Sequence, residues 1–187
     1  MRVVETKLPG VLIIEPDFYE DKRGFFLETY NANRYRKTGI EIPFVQDNLS
    51  RSKRGVLRGL HYQLKYPQGK LVSVVNGEVF DVAVDIRLGS PAFGQWFGMV
   101  LNETTHRQMY IPPGFAHGFC ALSDSVDFMY KCSEYYHPKD EYGLLWNDAN
   151  IGIKWPVQNP IISDKDLSNL HLSDIPSELL PIYPSNK

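Results

Sequence analysis

Gly55-Val56-Leu57-Arg58-Gly59-Leu60-His61-Tyr62-Gln63 is an apolar-rich run holding one arginine, one imidazole and one amide. Strand alternation puts Leu60 and Tyr62 on one face of a sheet and Gly59, His61 and Gln63 on the other, with Arg58 on the Leu60 side unless a bulge intervenes. A histidine so placed faces the interior or a pocket, and a lone one is more often a core residue tied to a neighbour. Here it has company further on: Lys70, the run Pro112-Pro113-Gly114-Phe115-Ala116-His117, Tyr130, and Ser163-Asp164-Lys165-Asp166.

On either side, short segments rich in β-branched and aromatic residues recur at 11–15, 24–30, 44–51, 56–63, 70–75, 78–86, 95–101, 107–111, 117–122 and 125–135, separated by Gly, Pro, Asn and Asp. Strands in such succession, with no helices alternating between them, predict an antiparallel sandwich or barrel. Asn76-Gly77 predicts a hairpin, because both residues tolerate positive φ. Helical pattern is confined to 31–37, stopped by Gly39, and 163–170, opened by Ser163 with Asp166 three residues on. Pro176, Pro181 and Pro184 predict an extended or loose tail over 173–187. Residues 17–28 set Phe18, Tyr19, Phe25 and Phe26 among opposite charges. They read as a solvated loop entering an ordinary strand. The other reading is a segment reaching into a ligand site, even that of a second subunit, where Phe18 or Phe25 stacks on a planar base and Arg23 holds phosphate.

With 187 residues, 43% hydrophobic and 13% aromatic, the chain suits a single domain with its own core, ending in a short helix and tail over 163–187. Twenty basic and 22 acidic residues give a net charge of -2. No field for nucleic acid or a membrane surface is indicated, so an anionic ligand must be held by a few placed cations. Cys120 and Cys132 are too few for a disulfide scaffold and lack CxxC spacing. Neither a signal peptide nor a membrane span is apparent, which predicts a soluble cytoplasmic protein.

Two stretches resemble the paired motifs of the cupin superfamily, small β-barrels of the jelly-roll type. Gly55, His61, Gln63 and Gly77 stand in the places of the first motif, and residues 112–117 satisfy Pro-x-Gly-x-x-His of the second. Metal-binding cupins take two histidines, a glutamate and the later histidine as ligands. Here Gln63 replaces the second histidine and residues 64–70 carry no carboxylate, so neither metal nor cofactor is expected. Two histidines, a lysine and a tyrosine then suit proton transfer at a carbon beside a carbonyl: a base takes the proton, a cation steadies the enolate and an acid returns the proton. Imidazole suits the base where a carboxylate fixes its tautomer, and a phenol, with a pKa of about 10, suits the acid.

Residues 58–63, 67–72, 77–85 and 111–119 with Tyr130-Lys131, Lys22-Arg23-Gly24-Phe25-Phe26, Trp146-Asn147-Asp148 and Trp155-Pro156 are together similar to the dTDP-4-dehydrorhamnose 3,5-epimerase family. The resemblance runs from the first strand to the helix at Ser163. It implies an all-β jelly-roll barrel that epimerises C3 and C5 of dTDP-4-dehydro-6-deoxy-D-glucose to dTDP-4-dehydro-L-rhamnose, on the route to dTDP-L-rhamnose. It further implies His61 as base, Asp166 as its carboxylate, Tyr130 as acid, and Lys70 beside the C4 oxygen. Arg58 and His117 line the sugar pocket; Gln46, Asp47 and Asn48 hold substrate; Arg23, Glu28, Glu141 and Lys165 make further contacts. Members are homodimers sharing their N-terminal strands, so Phe18 and Arg23 are expected to serve the neighbour's site. Cys132 departs from the threonine common in the family. The rival readings are an enzyme of the same scaffold with another product (a single epimerase or a ketoisomerase), a sugar-binding cupin without catalysis, and a metal-dependent cupin.

Overall fold

A computed structural model describes residues 1–184. Four short strands come first: β1 (Arg2–Glu5), β2 (Leu12–Glu15), β3 (Phe18–Asp21) and β4 (Gly24–Leu27). Helix α1 (Ala32–Arg36) precedes β5 (Gln46–Lys53), β6 (Leu57–Gln63), β7 (Lys70–Asn76), β8 (Glu78–Asp85) and β9 (Trp96–Asn102). Then follow β10 (Gln108–Ile111), β11 (Phe115–Ala121), β12 (Ser125–Cys132), β13 (Glu141–Gly143) and the single turn α2 (Asp164–Leu167). No described helix is long and apolar enough to cross a membrane.

The strands build a six-stranded sheet, β1-β2-β10-β7-β12-β5, and a five-stranded sheet, β13-β6-β11-β8-β9, both antiparallel. They face each other as an open jelly-roll sandwich. Val72, Met109 and Phe128 from one sheet meet Val79, Ala83 and Phe119 from the other in the central core. The outer face of the six-stranded sheet is partly covered by Tyr35 of α1 and Ile40, against Ile14, Leu71 and Tyr110.

Asn76-Gly77 does not close a hairpin. β7 pairs with β10 and β12, and β8 with β9 and β11, so both edges of each strand are taken and the turn carries the chain from one sheet to the other. Gly77 does use its positive φ, of 82°, and a Cβ there would lie 2.4 Å from the carbonyl of Ser125. Residues 17–28 are likewise not a loop entering a strand: β3 and β4 close a hairpin that pairs with neither sheet.

The tail from Ser173 is packed rather than loose. Short 3-10 turns at Leu172–Asp174 and Ser177–Leu179 press Leu172, Ile175 and Leu180 onto Leu60, Tyr62 and Val84 of the five-stranded sheet and onto Leu144 just beyond β13. Each such buried aliphatic side chain contributes about 2 kcal/mol, which outweighs the extended bias of the prolines. Residues 185–187 of that tail lie outside the described residues. The second helix is only one turn, because Leu170 leaves it to bridge Leu144.

The pairing of β6 with β11 shifts register. His117 stands opposite His61 but Phe119 stands opposite Arg58, so three residues of β6 span two of β11, a bulge. Simple alternation therefore fails at Arg58, which joins His61 on the inner side. At the bulge the backbones nearly touch. A Cβ on Gly59, where φ is 119°, would lie 2.6 Å from the Cα of Gly118 and 2.7 Å from the carbonyl of His117. Gly59→Ala is accordingly expected to lower the urea midpoint by the equivalent of about 4 kcal/mol or more. Gly55→Ala, at φ 81° with open space around it, should cost only about 1–2 kcal/mol.

Candidate active site

A cleft of about 660 Å³ opens between the inner faces of the two sheets. Register arranges the six-stranded wall in rows across β5, β12 and β7. Cys132 lies between Gln46 and Lys70, Tyr130 between Asn48 and Val72, and Phe128 between Ser50 and Val74. The opposite wall carries Arg58 and His61 from β6, His117 and Gly118 from β11, and Glu141 from β13, while Lys165 and Asp166 of α2 close one side.

His61 Nε2 lies 2.6 Å from Asp166 Oδ1, and the Gly59 N–H donates to Asp166 Oδ2 at 3.2 Å. Asp166 is 4% exposed. Its burial favours the neutral carboxyl, but the hydrogen bond and charge of His61, with the Gly59 N–H and Ser163, hold it below the usual carboxylate range. Ser163 Oγ accepts the Asp166 N–H at 3.2 Å, the backbone half of the capping arrangement. The carboxylate does not return the cap, because His61 and Gly59 engage it. With Nε2–H committed to a carboxylate, Nδ1 of a neutral His61 is free to accept a proton.

Lys70, half-buried on β7, faces the same cleft, and desolvation pushes its ammonium below the ordinary lysine value despite Cys132, Glu141 and Asp81 nearby. Tyr130 is pushed up, chiefly by burial and then by Cys132 and Glu141, so its phenol keeps its proton. His117 Nε2 lies 2.6 Å from Asp81 Oδ1. Burial pushes the His117 imidazole down and the Asp81 carboxyl up, favouring a neutral pair. At the mouth, Glu141 accepts from Lys165 and, at 3.0 Å, from the Tyr136 hydroxyl. Burial would raise the Glu141 carboxyl, but Lys165, His61 and Tyr136 hold it down.

Ten of the thirteen expected site residues thus meet in one cleft: His61, Lys70, Tyr130, Asp166, Arg58, His117, Gln46, Asn48, Glu141 and Lys165. Three do not reach it within this chain. Asp47 alternates to the outer face of β5 and pairs with Lys131 at 2.9 Å. Arg23 lies in the β3–β4 turn, held by Asp21 at 2.6 Å, and Glu28 binds Asn31 and Arg34. Asp81 and Tyr136 were not singled out by sequence. A carboxylate amid Val79, Phe80, Val82 and Ala83 was the available signal for Asp81, since a buried charge needs a partner. Gln63 does not line the cleft. Its amide donates to the carbonyls of Tyr66 and Tyr135 and accepts from the His137 N–H, tying two loops together.

Residues 5–174 match the family model described as dTDP-4-dehydrorhamnose 3,5-epimerase. The Shigella flexneri protein of that name is 54% identical over 176 residues, 93% of this chain and 97% of that one. The Streptomyces niveus dTDP-4-dehydrorhamnose 3-epimerase is 40% identical over 186 residues, 98% of this chain and 90% of that one. The crystal structure of the Legionella pneumophila dTDP-6-deoxy-D-glucose-3,5-epimerase, in complex with dTDP-4-keto-L-rhamnose, superimposes with a TM-score of 0.96 at 53% identity, covering 98% of this chain and 99% of that one. The packing, the cleft and these likenesses agree, and the chain belongs to the dTDP-4-dehydrorhamnose 3,5-epimerase family.

Proposed function

We propose that this enzyme converts dTDP-4-dehydro-6-deoxy-D-glucose to dTDP-4-dehydro-L-rhamnose by inverting C3 and C5, in the biosynthesis of dTDP-L-rhamnose. One observation carries the reading. A histidine paired with a carboxylate and a protonated tyrosine stand on opposite sheets of one cleft, with a desolvated lysine beside them.

His61 Nδ1 takes the proton at C5 and then at C3, and Asp166 stabilises the imidazolium that forms. Lys70 lies beside the C4 oxygen and balances the enolate charge, more effectively because the site is desolvated. Tyr130, reaching from the other wall, returns the proton to the opposite face of the carbon, which inverts it. Arg58, His117, Gln46 and Asn48 hold the sugar and phosphates, with Glu141 and Lys165 at the mouth. Binding energy from the nucleotide, remote from C3 and C5, orients the ring for both steps. The 3,5-epimerases from Shigella flexneri and Legionella pneumophila share more sequence with this chain than the Streptomyces niveus 3-epimerase does, which favours the double epimerase.

We read the chain as one jelly-roll domain that works as a homodimer in the cytoplasm. The hairpin of β3 and β4, with Phe18, Tyr19, Phe25 and Phe26 all exposed and Arg23 at its turn, suits a segment that completes the neighbour's cleft. Buried free thiols at Cys120 and Cys132 suit a reducing compartment.

In D2O, wild-type protein should introduce deuterium at both C3 and C5 of the substrate, followed by proton NMR. His61→Ala should lower exchange about a thousandfold, Asp166→Asn about a hundredfold, and Tyr130→Phe should leave exchange at C5 while losing its inversion. Exchange confined to C3 would reassign the enzyme as a single epimerase. In the pH profile, the lowered Lys70 ammonium loses its proton first as pH rises, so kcat/KM should fall along an alkaline limb centred below 10.5. That limb should persist in Tyr130→Phe and vanish from the residual activity of Lys70→Met.

A further inference from the structure

The two faces of the β3–β4 hairpin differ. Register sets Tyr19 opposite Phe26 on one face, 68% and 70% exposed, and Phe18 and Phe25 on the other. On the second face both rings meet the imidazole of His106, with ring centroids 5.2 Å from Phe18, edge-on, and 4.5 Å from Phe25, tilted. His106 stands between β9 and β10 at φ 54°, the one non-glycine residue with positive φ among the described residues. Asn102 Oδ1 builds that turn by accepting the N–H groups of Thr104 at 3.2 Å and Thr105 at 2.9 Å. Histidine is one of the few residues that readily adopts this left-handed conformation. At the hairpin's base the Met1 ammonium pairs with Asp17. Its turn carries Arg23, whose partner in this chain is Asp21. Among the described residues the hairpin has no strand partner outside itself, so side-chain contacts such as that of His106 bear on its direction.

We propose that His106 is a positioning residue for the epimerase. Its ring fixes the angle at which the hairpin leaves the body, and so delivers Arg23 to the diphosphate of the nucleotide in the partner's cleft. This rests on the shared-hairpin reading given above. Without the ring, the hairpin spends less time in the competent direction, and apparent substrate affinity falls by that lost fraction. Chemistry at C3 and C5, remote from the hairpin, proceeds unchanged once substrate is bound. An aromatic pair of this kind corresponds to about a three- to tenfold change in that population.

The test is steady-state kinetics on full-length protein with dTDP-4-dehydro-6-deoxy-D-glucose, beside melting curves. His106→Asn keeps the backbone preference and removes the ring; His106→Phe keeps a planar ring. His106→Asn should raise KM about three- to tenfold with kcat within about twofold and Tm within about 2 °C, and His106→Phe should bring KM back toward wild type. Arg23→Ala should raise KM by itself, and adding His106→Asn to it should change nothing further. A wild-type KM in His106→Asn, or a fall in kcat instead, would overturn the proposal. So would two single effects that multiply in the double variant, since His106 would then act independently of Arg23. A wild-type KM in Arg23→Ala alone would bring down the shared-hairpin reading, and the route through Arg23 with it.

Discussion

The pairing of β6 with β11 is the constraint on which the site depends. Gly59 and Gly118 bring the two backbones closer than any side chain permits, and the extra residue in β6 turns Arg58 inward beside His61. The same irregularity directs the Gly59 N–H to the carboxylate of Asp166. Asp166 is thus held from two points on β6, the Gly59 backbone and the His61 ring, although it lies more than a hundred residues later in the chain. A bulge next to an active site commonly re-aims side chains in this way. Here it also supplies the hydrogen bond that keeps a buried carboxylate charged.

Placing Lys70, Asp81, His117 and Asp166 between two sheets opposes stability, because each charged form gives up water. The chain meets this differently at each position. The Asp166 carboxyl is held below the usual carboxylate range by the hydrogen bonds of His61 and the Gly59 N–H, with Ser163 beside it. His117 and Asp81 are pushed toward the neutral pair. Lys70 has no carboxylate pair or side-chain hydrogen bond among the described residues, and desolvation lowers its ammonium, a charge that an enolate oxygen would stabilise. The C-terminal segment offsets part of these costs. Leu172, Ile175 and Leu180 seal the outer face of the same sheet that carries the histidines, where they bury apolar surface without touching the chemistry.

Much of this was legible in residue order. Period-two patterning marked the strands, and Ser163 followed by Asp166 marked the start of α2, because both signals are local. What was not legible came from tertiary pairing. Asn76-Gly77 has the composition of a hairpin turn, yet its flanking strands belong to different sheets, a fact decided by β10, β12, β9 and β11 rather than by the turn. Arg58 sits inward because of a mismatch in count between two strands, which neither strand shows alone. Three prolines suggested a loose tail, while the leucines between them had an apolar sheet face to cover. Ten of thirteen site residues were brought together; Asp47, Arg23 and Glu28 were not, Asp47 because alternation on β5 sends it outward while Gln46 and Asn48 face in.

The two-sheet architecture itself suits inversion at carbon. A base and an acid must meet the same carbon from opposite sides, each within about 3 Å of the proton it moves. Two packed sheets stand about 10 Å apart, and large inner side chains normally fill that space. In this cleft the lining thins to Gly118, Ser50 and Cys132, while Phe119 and Phe128, stacked at 4.1 Å, floor it against the core. That leaves room for a pyranose ring between the walls, with His61 on one and Tyr130 on the other. Each wall is fixed by its own hydrogen-bonded ladder, so the separation of His61 and Tyr130 is set by the backbone of paired strands. On the proposed reading, the hairpin and the mouth residues have the separate task of bringing the nucleotide into register with that gap.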